Sequence, residues 1–439
     1  MASEAEILSR LDRFHGGTDF RADEYMGAHL RADGVSVRAW FPEAESVSLS
    51  VDGGVDGFAV YPMKEDDDRG MWSILLPRRS VSDGARYSFT VLSGGEERVE
   101  SDPYAFAADI ATGSAVMPVA GYGDLHADEG WMEYRKRTVK LSEERGYSIP
   151  LNIYRLHPSS WRTRCGRSNA DGSASLSYTE LGEQLIPYVK QMGYTHVSLM
   201  NVLGWRSKGL CYLPEPTYGS PEAFMSMIAA LHGARIGVIA DWSTADICCA
   251  RKGEQEPLSG EQRCFLVSNA LFWIEKYRLD GLNVTAESLG GESEAFIREL
   301  NNEVMKRCPD ALIISEGRSV GGARSGLRLN NEWTENALEY VQTDPIFRKY
   351  VHGRLTYPIT TAFSENHILP LSERFFSEGS ASLIERQFGD IGDKFRGMRV
   401  RMMYMMAHPG KKLSFMGNEF GQFRCWQPGE PLEWFMTDF

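Results

Sequence analysis

The chain has 439 residues, of which 42% are hydrophobic and 24% charged, and its formal net charge is −13. This length is enough for two or three domains with sizeable cores. The acidic balance argues against a nucleic-acid backbone or an anionic membrane as the main partner, because both select basic surfaces. No segment of the sequence approaches the roughly 20 apolar residues of a membrane span.

The N-terminal segment MASEAEILSRLDRF is charged and amphipathic. It lacks the basic start and the apolar stretch of a secretory signal. We therefore predict a short helix within residues 1–20 and a cytoplasmic protein. The seven cysteines are scattered and form no CxxC pair, so we expect no zinc site. The sequence as a whole implies no metal or organic cofactor.

Residues 21–110 have the pattern of a β-sandwich. GVSVRAWFPEAESVSLSV alternates apolar and polar residues and is followed by a turn at DGGVDG, and MWSILLP and RYSFTVL are further short strands. Several short strands between clusters of Gly, Asp and Ser predict a sandwich of the starch-binding or immunoglobulin-like type. Residues 111–147 have few periodic features and are interpreted as a connector.

From residue 148 to residue 439, strand and helix patterns alternate. Short apolar runs such as LNIYRLH, THVSLM and IGVIADW are typical of a parallel sheet that is covered on both faces. Amphipathic helices lie between them, including YTELGEQLIPYVKQMG and SPEAFMSMIAALHGAR, where we expect Ser220 to be the N-cap. About eight such units predict an α/β fold, a (β/α)₈ TIM barrel. A doubly wound open sheet is the alternative.

Several segments resemble the 1,4-alpha-glucan branching enzymes of the α-amylase superfamily. They stand in that family's order and include RFHGGTDFRADEYMGAHL, IYRLHPSSW, SNALFWIEKYRLDGL and HPGKKLSFMGNEFGQ. The resemblance covers residues 14–439 and implies a starch-binding-type sandwich ahead of an α-amylase-type barrel. The loops that build the cleft in the family are shorter in this sequence. The family continues beyond the segment LEWFMTDF with a C-terminal β-domain that has no counterpart in this sequence.

The resemblance also implies a chemistry, which is retaining glycosyl transfer by three carboxylates at the C-terminal ends of the strands. One carboxylate attacks the anomeric carbon, and a second acts first as an acid and then as a base. A third holds the sugar hydroxyls in the transition state. An arginine two residues before the nucleophile keeps that nucleophile ionised.

Most of these positions carry other residues in this chain. In the strand-three motif DWSTAD, Asp241 matches the family's aspartate and Asp246 stands in place of its histidine. In the strand-four motif DGLNVTAE, Asn283 replaces the arginine and Thr285 replaces the nucleophile. A threonine hydroxyl without a dedicated base does not substitute for an ionised carboxylate at an oxocarbenium-like centre.

The strand-five and strand-seven motifs complete the set. In IISEG, Glu316 matches the acid/base glutamate and is the one catalytic carboxylate retained. In LPLSERFF, Glu373 and Arg374 stand in place of a His-Asp pair, so a cation replaces the third carboxylate. That cation opposes positive charge in the transition state unless a neighbour neutralises it. We predict that Glu316 is this neighbour.

Aromatic side chains are the second signal of sugar binding. The family's Trp-Gly-Tyr-Gln segment, which forms a platform under the sugar, is missing, and Tyr212 is the candidate substitute. We expect a glucan binder to expose aromatic rings in a groove, from Trp161, Trp205 or Tyr212. In the sandwich, the family's glucan-contacting tryptophan lies near a turn that reads VDGGVDGF here, where Phe58 is the nearest aromatic residue.

These substitutions leave three hypotheses open. The first is a catalytically inactive branching-enzyme homologue that binds α-1,4-glucan or partners an active enzyme of glycogen metabolism. The second is an active branching enzyme or glycoside hydrolase with a re-sited carboxylate. In it, Glu287 lies two residues after Thr285, on the same face if the strand continues, and acts with Glu316 at the roughly 6.5–9.5 Å separation of an inverting pair. The third is a structural or interaction protein that never meets sugar.

Overall fold

The structure is a computed structural model that describes residues 4–54, 57–82, 84–118, 127–142, 149–164, 174–205, 209–247, 257–316, 326–363, 366–375 and 381–438. A helix, α1 (Glu4–His15), precedes a β-sandwich, and the sandwich precedes a closed barrel of eight parallel strands. Within the described ranges, no helix is long and apolar enough to cross a membrane.

The sandwich consists of two antiparallel sheets. Its strands are β1 (Gly27–Leu30), β2 (Gly34–Trp40), β3 (Ser46–Gly54), β4 (Gly57–Pro62), β5 (Lys64–Glu65), β6 (Met71–Pro77), β7 (Arg86–Ser93), β8 (Glu96–Glu100) and β9 (Ala115–Val116). One sheet has the order β1-β2-β6-β5 and the other has the order β4-β3-β7-β8, with β9 paired to β7. Alternate residues of β7, Tyr87, Phe89 and Val91, are buried in the core between the sheets. This alternation confirms the pattern from which the sandwich was predicted.

The segment interpreted as a connector contains two elements. The strand β9 belongs to the sandwich, and the helix α2 (Glu129–Ser142) packs against the barrel. In α2, Trp131 Nε1 donates a hydrogen bond to Asp280 at 2.8 Å, and Arg135 Nε donates one to Asp310 at 2.6 Å. The sequence pattern of α2 shows no apolar stripe because the buried face of this helix includes an ion-paired arginine.

The barrel strands follow one another in chain order around the closed sheet. They are β10 (Asn152–Leu156), β11 (His196–Leu199), β14 (Gly237–Ser243), β15 (Gly281–Thr285), β16 (Leu312–Ser315), β17 (Leu327–Leu329), β18 (His367–Leu371) and β19 (Lys411–Phe415). A hairpin of β12 (Leu203–Trp205) and β13 (Leu210–Pro214) follows β11. The closed order confirms the TIM barrel and excludes the doubly wound sheet.

Helices cover the outside of the barrel. They are α3 (Pro158–Trp161), α4 (Tyr178–Gln191), α5 (Pro221–Gly233), α6 (Thr244–Ile247), α7 (Gly260–Lys276), α8 (Ser293–Arg307), α9 (Asn331–Gln342), α10 (Gly353–Thr361) and α11 (Ile391–Ala407). Short 3₁₀ helices lie at Ala22–Glu24, Arg78–Ser80, Pro216–Tyr218, Glu287–Glu292, Arg348–Tyr350, Glu373–Phe375 and Trp434–Asp438. Ser220 caps α5 as predicted, because its side chain accepts a hydrogen bond from the backbone N–H of Ala223.

An apolar layer fills the interior of the barrel. It contains Leu151, Ile153, Ile239, Leu312, Ile314, Leu327, Leu329, Ile368 and Leu413. Their neighbours in the same strands, such as Tyr154 and Val238, belong to the larger cluster under the outer helices. Each strand therefore presents alternate residues to the two sides, and this alternation determines which side chains point into the barrel mouth.

Candidate functional site

The motif residues from four strands meet at the C-terminal end of the barrel. Asp241 on β14 lies opposite Asn283 on β15 in the parallel ladder. Thr285 is the last residue of β15, and Glu316 directly follows the last residue of β16. The carboxyl ends of parallel strands share one rim in a closed barrel, so these side chains lie at the mouth where barrel enzymes hold their active sites.

A charged layer lies directly above the apolar interior. Arg155 on β10 and Asp241 on β14 each come two residues after an inward-facing isoleucine, Ile153 or Ile239. Residues two apart in a strand share one face. Arg155 and Asp241 therefore point into the barrel, toward each other.

The guanidinium of Arg155 connects two carboxylates across the mouth. It donates to both oxygens of Asp241 at 2.8 Å, and it donates to the two oxygens of Glu373 at 2.7 and 2.8 Å. Asn283 Nδ2 donates a further hydrogen bond to Asp241 at 3.1 Å. Arg155 is 6% exposed, so this cluster fills the centre of the inner mouth with paired charge.

Burial and charge compete in setting the ionisation of this cluster. Burial acts to lower the pKa of Arg155, but the carboxylates of Asp241 and Glu373 raise it above its ordinary value. Burial raises the pKa of Asp241, although Arg155 beside it acts in the opposite direction. A bidentate guanidinium–carboxylate contact favours the charged form of both partners, and we therefore treat the cluster as one cation between two carboxylates.

Arg155 was not among the residues singled out from the sequence. The signal was present, because a charged residue in the run NIYRL interrupts a strand that is otherwise buried. The residues that pair with Arg155 could not be predicted from the sequence pattern alone. Asp241 and Glu373 are 86 and 218 residues away along the chain, and they meet Arg155 only when the barrel closes.

A second ion pair lies in the same mouth and confirms the prediction for Glu316. Arg374 Nη1 donates to Glu316 Oε2 at 3.1 Å, and the two side chains are 55% and 28% exposed. Arg374 and Glu373 are neighbours in the 3₁₀ helix that follows β18. This short helix therefore supplies the acid that meets Arg155 and the cation that meets Glu316.

Thr285 occupies the position of the nucleophile at the end of β15. Its side chain is half-buried, and its backbone carbonyl accepts a hydrogen bond from Thr244 Oγ1 at 3.4 Å. Within the described ranges, no hydrogen bond joins the Thr285 hydroxyl to a carboxylate or an imidazole. The general base that activates a hydroxyl nucleophile is therefore missing from the described surroundings.

The sandwich matches a known module. Residues 25–105 match the family model of carbohydrate-binding module 48, the isoamylase N-terminal domain. The match covers every strand of the two sheets except β9.

Relatives with the same domain order extend over nearly the whole chain. The 1,4-alpha-glucan branching enzyme GlgB of Francisella tularensis is 31% identical over 503 residues, which covers 97% of this chain and 75% of that protein. The corresponding enzyme of Francisella philomiragia is 32% identical over 500 residues with the same coverage. This chain belongs to the 1,4-alpha-glucan branching enzyme family.

Solved structures at much lower sequence identity share the fold. A pullulanase from Paenibacillus barengoltzii superposes with a TM-score of 0.70 at 14% identity, covering 95% of this chain and 79% of that one. A pullulanase from Bacillus acidopullulyticus gives 0.67 at 15% identity, covering 94% and 61%. At these identities the likeness concerns the arrangement of sandwich and barrel.

Glu287, the candidate for a re-sited catalytic carboxylate, does not lie where the sequence predicted. β15 ends at Thr285, and Glu287 begins a 3₁₀ helix and is exposed to solvent. The strand does not continue, so the shared face on which Glu287 was predicted to lie beside Thr285 is not formed. Asp246 lies in α6, one turn after β14, and its side chain is outside the described residues.

Two of the three aromatic rings that a glucan binder was expected to expose at the barrel are buried, and this observation counts against sugar binding at the barrel mouth. Tyr212 is fully buried on β13, stacked on Tyr104 with ring centroids 4.9 Å apart, and its hydroxyl donates to the carbonyl of Phe265. Trp161 is also fully buried, and its Nε1 donates to Tyr154. Both rings serve packing between elements. The side chain of Trp205 lies outside the described residues.

Proposed function

We propose that this chain is a non-catalytic member of the branching-enzyme family that binds α-1,4-glucan through its β-sandwich. The proposal that the chain is non-catalytic rests mainly on the cluster of Arg155, Asp241 and Glu373. A retaining transferase needs an ionised carboxylate aimed at the anomeric carbon, with its partner carboxyl group roughly 5–5.5 Å away. Here the two carboxylates of the inner mouth are held by one guanidinium instead.

The second ion pair supports the same proposal. The acid/base position, Glu316, has one carboxylate oxygen engaged by Arg374. Protonating a leaving group requires that oxygen or its twin to face the glycosidic bond. Arg374, which Glu316 neutralises, also leaves an oxocarbenium-like transition state without the third carboxylate that would stabilise its positive charge.

The glucan-binding half rests on the sandwich. Phe58 on β4 is 67% exposed, and Val60, two residues later on the same face, is 52% exposed. Val60 lies opposite Ser50 of β3, whose hydroxyl hydrogen-bonds Thr90 of β7 at 3.2 Å. An apolar ring beside a row of hydroxyl groups suits a sugar chain, which presents apolar C–H faces and polar edges.

The activity test is incubation of the full chain with amylose, followed by the iodine-complex spectrum and a count of new reducing ends. We expect no change in either reading over long incubation, while a Francisella branching enzyme assayed at equal concentration changes the iodine spectrum. New branch points that disappear in Glu316→Gln would overturn the proposal. New reducing ends without branches would favour the re-sited hydrolase instead.

The binding test is affinity electrophoresis in gels that contain glycogen or amylopectin. We expect glucan to retard the protein and Phe58→Ala to remove most of the retardation, because stacking on an exposed ring supplies about 1 kcal/mol or more. Leu75→Ala is the matched control, since Leu75 is 48% exposed on the other sheet of the sandwich. Equal mobility with and without glucan would favour an interaction protein that never meets sugar, or a partner of an active enzyme of glycogen metabolism.

A further inference from the structure

A cavity lies at the opposite end of the barrel from the candidate site. It has a volume of about 480 Å³ and lies between helix α2 and the N-terminal ends of the barrel strands. Its floor is formed by residues that begin or directly precede strands, among them Leu151, Thr195, Leu312 and Lys411. The volume lies within the range of small-molecule sites.

The charge of this cavity contrasts with the acidic chain around it. Four cations line it, Arg135, Arg137, Arg235 and Lys411, against two acids, Asp280 and Asp310. Both acids are already engaged by the buried Arg135, at 2.9 and 2.6 Å. Burial lowers the pKa of His196, which also lines the cavity, to about 4, so its imidazole is neutral at pH 7.

Two of the four cations have charge available for a ligand. Arg137 and Arg235 are exposed, and neither forms an ion pair with another residue in the described part of the chain. Arg235 lies over the ring of Tyr134, with its central carbon 5.1 Å from the ring centroid. Tyr134 and Arg137 are three residues apart in α2 and therefore lie on adjacent turns of one face. The two guanidinium groups are thus brought to the same wall.

The same helix adds aromatic rings to the cavity lining, and the half-buried Lys411 lies at the start of β19. Trp131 stacks on His232 and is tilted against Tyr134, with centroids 5.4 Å apart. Burial, together with the neighbouring charge of Lys412, lowers the pKa of Lys411 to about 8.

We propose that this cavity binds a small phosphate monoester, with its phosphate held by Arg137 and Arg235 and its organic part against Trp131 and Tyr134. Planar guanidinium groups match phosphate oxygens in bidentate geometry. The aromatic wall selects a monoester with an apolar or planar group over inorganic phosphate. A bound ligand connects α2 to the barrel floor, far from the mouth, so this site is independent of the proposed glucan contact.

Isothermal titration calorimetry on the full chain tests the site, with phenyl phosphate as the probe and inorganic phosphate as the comparison. We expect saturable binding of one phenyl phosphate per chain, and weaker binding of inorganic phosphate. Each lost charge-assisted hydrogen bond weakens binding by about tenfold or more. The variant Arg137→Gln/Arg235→Gln should therefore bind at least about a hundredfold more weakly.

The matched control is Lys136→Gln, which removes an exposed cation from the same helix without touching the cavity lining. It should leave the affinity unchanged. All variants are checked for a cooperative thermal transition, and the single variants Arg137→Gln and Arg235→Gln are titrated alongside. Absence of saturable binding to the unmodified protein would overturn the proposal. So would equal weakening by the control, or unchanged binding in a folded double variant.

Discussion

The two ends of the barrel hold buried charge in different ways. At the mouth, Arg155 serves two carboxylates whose side chains are 17% and 19% exposed. At the floor, Asp280 is 1% exposed and accepts hydrogen bonds from four donors, the side chains of Trp131, Arg135 and His232 and the backbone of Val238. The floor network is saturated by protein donors, whereas the mouth cluster is more exposed to solvent.

The difference distinguishes charged groups that only stabilise the fold, at the floor, from charged groups at a present or former functional site, at the mouth. Burial alone would raise the pKa of Asp280, but the charges of His232 and Arg135 hold it well below its ordinary value. At the mouth, burial has a larger effect than the neighbouring charge of Arg155, and the pKa of Asp241 is raised above its ordinary value. A saturated network stabilises one fold, while a partly hydrated cluster retains the freedom to exchange partners. The following substitutions test this contrast, from the largest expected effect to the smallest.

The floor should be the most sensitive part of the barrel. We expect Asp280→Asn to lower the free energy of unfolding by about 3–5 kcal/mol, because it leaves Arg135 and His232 without their shared carboxylate in a buried network. Urea unfolding followed by circular dichroism measures the change. Asp33→Asn, at an exposed turn of the sandwich, is the control and should change little. A loss of less than about 1 kcal/mol for Asp280→Asn would show that water reaches the floor.

The mouth should tolerate the equivalent change better. We expect Arg155→Met to cost about 1–3 kcal/mol, because it removes the cation but leaves Asp241 and Glu373 close enough to water to be hydrated. The same urea titration measures it, with the exposed Arg396→Met on α11 as control. If this variant lost as much stability as Asp280→Asn, the mouth cluster would be a second structural network, and the contrast between the two ends would fail.

The pH dependence of stability gives a finer test of the floor. Burial acts to lower the pKa of His232, but the carboxylates of Asp280 and Asp128 raise it above its ordinary value. A group whose pKa is raised by folding contributes stability that is fully present below its unfolded value, about 6.5, and lost as the pH rises through its folded value. We therefore compare the free energy of unfolding of the unmodified protein with that of His232→Gln. The difference between the two should become smaller as the pH rises above about 6.5. A difference that instead rises with pH would mean that the fold holds His232 neutral, and it would contradict this expectation.

The sequence predicted the scaffold well because alternation and apolar runs are local. Tyr87, Phe89 and Val91 alternate with polar residues in one short strand, and the runs around Ile153 and Ile239 are continuous enough to identify buried parallel strands. β17, with three residues, is too short to show a period. It was therefore missed, as were the helices α9 and α10.

The site was predicted only in part, because its geometry depends on barrel closure. The motif positions identified Asp241, Glu316 and Arg374, and charge reasoning alone paired the last two. The partner of Asp241 was missed because Arg155 comes from a strand without a catalytic motif. Tyr212 was misjudged for a related reason, since the sequence does not show that the sandwich and barrel bury the hairpin β12–β13 between their cores.

The smallest expected effect belongs to the ion pair of Glu316 and Arg374. Arg374 is more than half exposed, and a solvent-exposed pair contributes about 0–1 kcal/mol because water and salt screen it. We expect Arg374→Gln to change the free energy of unfolding by less than about 0.5 kcal/mol and to leave the protein without branching activity, since Thr285 still occupies the nucleophile position. A measurable iodine-spectrum change in Arg374→Gln, absent in Arg374→Gln/Glu316→Gln, would mean that the cation alone holds the site inactive. No change of the iodine spectrum in either variant would mean that activity is lost because of Thr285 and the cluster of Arg155, Asp241 and Glu373.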